Sequence, residues 1–133
     1  MVIGKANEDY TYYKGFEDER MVSITTSDEV FPVYHIWEAY FTGIFEKPSL
    51  DGMGWCGFTR DCNEFKGVFD FDSFYYGEGE EYIITTPKEY LDDMLQYKGK
   101  KFFADEVYEV YDLVEKMLRH AVENGVNIVM TYF

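Results

Sequence analysis

Residues 77–95 read GEGEEYIITTPKEYLDDML, and this stretch decides the fold class. It passes from a glycine-containing turn to the β-prone run at residues 82–85 and then directly to a helix start. Thr86 and Glu89 form a capping box, and Pro87 between them suits the first helical position. Strands that are grouped as a hairpin, with helices before and after them, are typical of an α+β domain.

A second strand-like run precedes that turn. In residues 65–72, mostly aromatic positions alternate with mostly charged positions. This period of two indicates a strand with one buried face. Together with residues 82–85 this run predicts a β-hairpin around residues 77–79. We therefore expect an α+β fold in which a small antiparallel sheet, with this hairpin at its centre, is packed by about three helices. Residues 1–133 are expected to form a single domain.

The remaining elements follow from hydrophobic spacing. Residues 28–45 are predicted to form the first helix, because apolar side chains recur there at helical intervals. The last helix is expected to start at Asp105, to bury an apolar stripe that runs from Val107 to Val122, and to stop at Asn124-Gly125, a signal for a left-handed C-cap. Residues 21–25 and 127–133 are β-prone and are expected to be strands. The stripe of the first helix comprises Val30, Val33, Trp37, Phe41 and Ile44.

The composition combines two properties that rarely occur together. The chain has 26 Asp+Glu against 12 Lys+Arg, for a net charge of −14, yet 20% of its residues are aromatic. Acidic chains that are poor in aromatic residues are usually disordered, whereas this chain has ample apolar material for a core. An acidic surface repels nucleic acid and attracts basic proteins. We therefore expect a protein-binding module and not an enzyme.

The acidic residues are unevenly distributed. Residues 61–81 contain seven acids and one lysine, with aromatic residues among them. Aromatic side chains supply contact area and carboxylates steer a basic partner. The alternative is that the acids are simply solvated and the aromatics are core. The predicted partner-binding residues are Asp70, Asp72, Tyr75, Tyr76, Glu78, Glu80 and Glu81. The acids of the last helix are expected to be its solvated face: Asp105, Glu106, Glu109, Asp112 and Glu115.

Catalytic and metal chemistry have little support. His35, expected on the first helix, could combine with Cys56 and an acid such as Asp61, but no local signature accompanies this trio. A zinc site built on Cys56 and Cys62 would require both histidines of the chain as well. The G-x-G-x-x-G spelled by residues 52–57 lacks a strand–turn–helix context. We expect no catalytic residue, no metal and no cofactor.

The sequence also predicts a location. It contains no run approaching the roughly 20 apolar residues that span a bilayer, and no cationic segment followed by an apolar leader. We therefore expect a cytoplasmic protein with no membrane partner. In that compartment two cysteines are usually reduced, whereas secretion would allow a disulfide between Cys56 and Cys62, so their redox state is left open. The oligomeric state is left open.

The chain resembles a family in four segments: residues 30–44 (VFPVYHIWEAYFTGI), 52–59 (GMGWCGFT), 64–71 (EFKGVFDF) and 77–95. Over residues 30–122 it looks like the small acidic immunity proteins of bacterial contact-dependent growth inhibition and related polymorphic toxin systems. The resemblance implies a cytoplasmic protein that binds a cognate toxin, often a nuclease, and blocks it. Because immunity proteins diverge with their toxins, the resemblance supplies no interface residue.

Two other hypotheses remain open beside this one. The first is a nucleic-acid mimic that inhibits a host or phage nuclease or a DNA-binding protein. The partner of such a mimic is again basic, but its gene does not neighbour the gene of the mimic. The second is a small enzyme that uses Cys56 and His35. An upstream toxin gene would favour the immunity protein over the mimic.

Overall fold

The structure, a computed structural model, describes residues 8–45, 74, 76–96 and 104–133. The first arm of the predicted hairpin, at residues 65–71, lies outside the described residues. The same holds for Cys56, Asp61 and Cys62.

A five-stranded sheet organises the described residues. Its order is β1-β3-β2-β5-β4; β1 runs parallel to β3, and every other neighbouring pair is antiparallel. The α+β class is confirmed, but the sheet is mixed and larger than one built on a central hairpin. The described partner of β4 is β5, from the other end of the chain. The strands are β1 (Glu8–Tyr12), β2 (Met21–Thr26), β3 (Val33–Trp37), β4 (Glu81–Ile84) and β5 (Ile128–Tyr132).

Three helices are described: α1 (Glu38–Phe45), α2 (Pro87–Gln96) and α3 (Asp105–Asn124). α2 begins at Pro87, as the capping pattern predicts, and the Glu89 N–H donates to the Thr86 carbonyl at 3.1 Å. α3 ends where the sequence predicts its C-cap. Gly125 adopts φ 64° and ψ 34°, and its N–H donates to the Ala121 carbonyl. Glycine enters this left-handed conformation without the steric cost of a Cβ.

The helix predicted over residues 28–45 is wrong in its first half. Residues 33–37 form β3, and helix starts only at Glu38. Phe41 and Ile44 do face the core from α1, with 0% and 2% of their surface exposed. The apolar spacing misled because both faces of β3 carry covered apolar or aromatic residues: Ile36 lies in the core, and on the opposite face the Tyr10 ring stacks on His35. Tertiary pairing therefore decides the conformation of this segment.

One hydrophobic cluster joins the sheet to the helices. Alternate residues of the strands point into it, and the predicted stripe of α3 is confirmed, apart from Val122, which is 38% exposed. Glu115 was expected on the solvated face of α3 but is only 8% exposed, and it accepts from Arg119 Nε at 2.9 Å. The strand residues of the cluster include Val22, Ile24, Ile36, Ile84, Ile128 and Met130.

Candidate functional site

Four of the seven predicted contact residues are described. They lie in the turn that leads into β4 and at the first residue of that strand: Tyr76, Glu78, Glu80 and Glu81. The other three lie outside the described residues: Asp70, Asp72 and Tyr75. We call residues 76–81 the acidic turn. Its four predicted contact residues are all exposed, and Tyr76 is 87% exposed.

Backbone hydrogen bonds hold the acidic turn against the end of β5. The Gly79 N–H donates to the Tyr132 carbonyl at 2.8 Å, and the Glu80 N–H donates to the Gly77 carbonyl at 2.9 Å. Gly79 has φ 82°, a conformation that favours glycine. The turn thus presents its side chains from a backbone that is attached to the sheet.

Glu78 is also paired within the fold. Its carboxylate forms an ion pair with the Arg20 guanidinium, which also lies 5.4 Å from the ring centre of Tyr132. The Tyr132 hydroxyl in turn donates to Glu38 at 2.5 Å. Burial, together with the Glu38 carboxylate, raises the pKa of Tyr132 to about 12. Glu78 therefore helps to position the turn, and its charge is already matched by Arg20.

The aromatic residues of this region divide into core and surface. Phe74 is 2% exposed, and its ring centre lies 5.5 Å from those of Tyr82 and Tyr132. Tyr76, two residues later, projects into solvent. The alternative that the aromatics are core is therefore right for Phe74, whereas Tyr76 is on the surface.

A second polar arrangement crosses three neighbouring strands. His35 lies on β3 and not on a helix as predicted, and it is 7% exposed. Its Nε2 lies 3.0 Å from Glu8 Oε1, and its Nδ1 lies 2.7 Å from Ser23 Oγ. Because a carboxylate only accepts, we assign the proton of the neutral ring to Nε2, so that the Ser23 hydroxyl donates to Nδ1. The Tyr10 ring stacks on the imidazole at 4.2 Å.

This serine–histidine–carboxylate chain has the connectivity of a hydrolase triad, but its setting differs. Ser23 is 7% exposed and lies on a central strand, paired with His35 on one side and Thr131 on the other. Its backbone belongs to the sheet ladder, whereas an oxyanion hole needs N–H groups aimed at a substrate. The arrangement fits a buried polar network that fixes β1 to the sheet.

The network also bears on the Cys56/His35 hypothesis. Both ring nitrogens of His35 contact described partners, so a Cys56 thiol would have to displace Glu8 or Ser23. The sequence analysis singled out His35 but missed both partners. The available signal was the period-two pattern of residues 21–25, which places Ser23 on the face opposite to Val22 and Ile24.

The other histidine closes a contact between a loop and a helix end. His120 Nε2 lies 2.7 Å from Asp28 Oδ2, and its Nδ1 lies 3.2 Å from Asn124 Nδ2. Thr26 Oγ1 donates to the second oxygen of Asp28 at 2.7 Å. From the sequence alone, the position of His120 near the C-terminal end of a helix is explained by the helix dipole. The structure shows a hydrogen-bonded link between the turn after β2 and the end of α3.

This link predicts an acid-sensitive contribution to stability. The hydrogen bond from Thr26, followed by the one from His120, lowers the pKa of Asp28 from 3.8 to about 2. A lowered pKa in the folded state stabilises the fold above about pH 4, and this stabilisation is lost as the pH falls towards 2. Urea unfolding should show wild type to be more stable than Asp28→Asn at pH 6, with the difference shrinking between pH 4 and pH 2. A difference that stays constant across this range would contradict the assignment.

Within the described residues, no three Asp, Glu, His or Cys side chains are grouped so that they could hold a metal ion. The described helices include none that is both long and apolar enough to cross a membrane. Comparison with protein-family models, with curated proteins and with solved structures gave no match to this chain.

Proposed function

We propose that this protein is a cytoplasmic immunity protein that binds and neutralises a basic toxin domain, specifically a nuclease. The observation that carries the proposal is the acidic turn, where Tyr76 is 87% exposed and is followed by the exposed carboxylates of Glu80 and Glu81. Tyrosine is enriched among residues that dominate binding energy, because it combines a large apolar ring with a hydrogen-bonding hydroxyl.

The charge of the chain supports a basic partner. A net charge of −14 on 133 residues creates a negative potential that attracts cationic proteins and speeds their association. Nucleases that contact phosphates carry lysine and arginine in their clefts. An acidic protein that covers such a cleft would exclude the substrate. The specific role in immunity derives from the resemblance of residues 30–122 to immunity proteins.

The attachment of the turn to the sheet supports binding with little reordering. Gly79 is hydrogen bonded to the end of β5, and Glu78 is paired with Arg20. A segment that is already held in one conformation loses less entropy on binding than a free loop. We therefore expect Tyr76 to be presented in much the same position before and after association.

The proposal predicts fast, salt-sensitive association. With the purified product of the neighbouring gene, raising the salt concentration from 50 to 500 mM should slow association by about tenfold or more, because screening removes steering. Stopped-flow fluorescence would measure the rate. Tyr76→Ala should accelerate dissociation, whereas Tyr108→Ala, at an exposed position on α3, serves as the matched control. An association rate that is indifferent to salt would overturn the electrostatic part, and failure of the wild-type protein to bind would overturn the proposal.

A further inference from the structure

The sheet has a second face, opposite to the helices. Ile128 and Met130 of β5 point into the core with 0% and 1% exposed, so Val129 and Thr131 point the other way. In the antiparallel register, Glu81 lies opposite Thr131 and Ile83 lies opposite Val129. These four residues therefore share the face of the sheet that is turned away from the helices.

Phe133 extends this face by one residue. Its backbone N–H and carbonyl both bond to Met21, at 2.9 and 3.2 Å, which continues the pairing of β5 with β2. Phe133 lies two residues after Thr131 and therefore on the same side. Its side chain is 49% exposed, and that of Ile83 is 48% exposed. We call Glu81, Ile83, Val129, Thr131 and Phe133 the outer patch.

Elsewhere on the same face the chain covers itself. Tyr10 stacks on His35 with ring centres 4.2 Å apart. His35 is consequently buried, although it points away from the helices. On this face the side chain of His35 on β3 is thus covered, whereas Ile83 on β4 and Phe133 after β5 are about half exposed.

Glu81 supplies a charge inside the outer patch. In the register of β4 with β5, Glu81 and Thr131 lie between the Ile83–Val129 pair and Phe133, and Glu81 is exposed. A carboxylate between two half-exposed apolar side chains is complementary to a protein surface that presents lysine or arginine flanked by apolar residues.

We propose that the outer patch is the face on which a basic protein partner docks, with Ile83 and Phe133 at the two ends of the contact and Glu81 between them. This inference rests on the proposed function and deepens it, because it extends the contact from the acidic turn onto the sheet. Glu78 then acts as a positioning residue that holds the turn beside the patch.

The test uses the purified product of the neighbouring gene as the probe and isothermal titration calorimetry as the measurement. Ile83→Ala and Phe133→Ala should each raise the dissociation constant by about tenfold or more, as expected when an apolar side chain that becomes buried in the contact is removed. Glu80→Gln with Glu81→Gln should mainly slow association. The matched controls are Val122→Ala and Glu123→Gln on α3, which should change neither quantity. Circular dichroism and urea unfolding of each variant establish that it is folded under the binding conditions.

The outcomes separate the inference from the function on which it rests. If wild type binds and the outer-patch variants bind as tightly as the α3 controls, the docking face is wrong while the binding function stands. If wild type does not bind the probe, the proposed function falls and the docking face falls with it. If the α3 controls weaken binding and the outer-patch variants do not, the partner docks on the helical side and the inference is overturned.

Discussion

Replacing Phe74 with alanine is expected to destabilise the fold by about 3–5 kcal/mol, the range measured when a buried phenylalanine is truncated. Phe74 is 2% exposed, and its ring contacts those of Tyr82 and Tyr132. Truncation would leave a cavity beneath the acidic turn. Because domains are stable by only about 5–15 kcal/mol, this loss is a large fraction of the total. Thermal unfolding should shift down by roughly 10–20 °C.

Tyr76→Ala is the matched control for this prediction. It removes an aromatic ring two residues away, yet the ring is 87% exposed, so the change in stability should stay within about 0.5 kcal/mol. Urea unfolding followed by circular dichroism measures both variants. Under the proposed function the two substitutions have opposite profiles: Phe74→Ala costs stability, and Tyr76→Ala costs binding. Equal destabilisation by the two would show that the division into core and surface is wrong.

His35→Ala should destabilise the fold by about 2–4 kcal/mol. The substitution leaves the Ser23 hydroxyl buried without its acceptor and removes the ring on which Tyr10 stacks. It also releases Glu8, so the contact of β1 with β3 should loosen. Urea unfolding measures the global loss. Hydrogen exchange should show faster exchange of the β1 amides than in wild type.

The chain provides a matched control in its other histidine. The His120 side chain is 20% exposed and its partner Asp28 is 25% exposed, so water can replace the lost contact. His120→Ala should therefore cost no more than about 1 kcal/mol. Combining Ser23→Ala with His35→Ala should cost less than the sum of the two single losses, because the pair is in direct contact. Additive losses would indicate that the Ser23–His35 hydrogen bond contributes little.

The acidic turn illustrates what charge counting can and cannot predict. Three exposed carboxylates in residues 78–81 look equivalent in the sequence. In the structure, Glu78 is paired with Arg20, whereas Glu81 lies between the exposed apolar residues of the outer patch. Arg20 lies 58 positions away along the chain, and no local pattern links it to Glu78. The pairing arises because the end of β5 is next to the start of β2 in the sheet.

Local signals predicted several elements correctly. The sequence pattern around Pro87 predicted the start of α2, and Asn124 with Gly125 predicted the end of α3. These predictions succeed because a cap depends on the conformations of a few consecutive residues. The apolar stripe of α3 was predicted for a related reason, since a 20-residue amphipathic helix repeats its period several times.

The segment at residues 28–45 shows where such signals fail. Its apolar residues suit a helix and a strand buried on both faces equally well. Only the neighbours, β1 on one side and β2 on the other, make residues 33–37 a strand. β1 itself was missed because residues 8–12 are polar and largely exposed, and they join the sheet through the pairing with β3 and the Glu8–His35 contact.

By itself the sequence determined the fold class, the start of α2, the end of α3, and the acidic, aromatic-rich character of the chain, because these follow from composition and from contacts within a few residues. The tertiary structure alone decided the order of the strands, the partners of His35 and the engagement of Glu78 by Arg20. It also decided which apolar residues of β4 and β5 face solvent. These features join residues that are distant in the chain, and the sheet brings them together through pairings that no local pattern specifies.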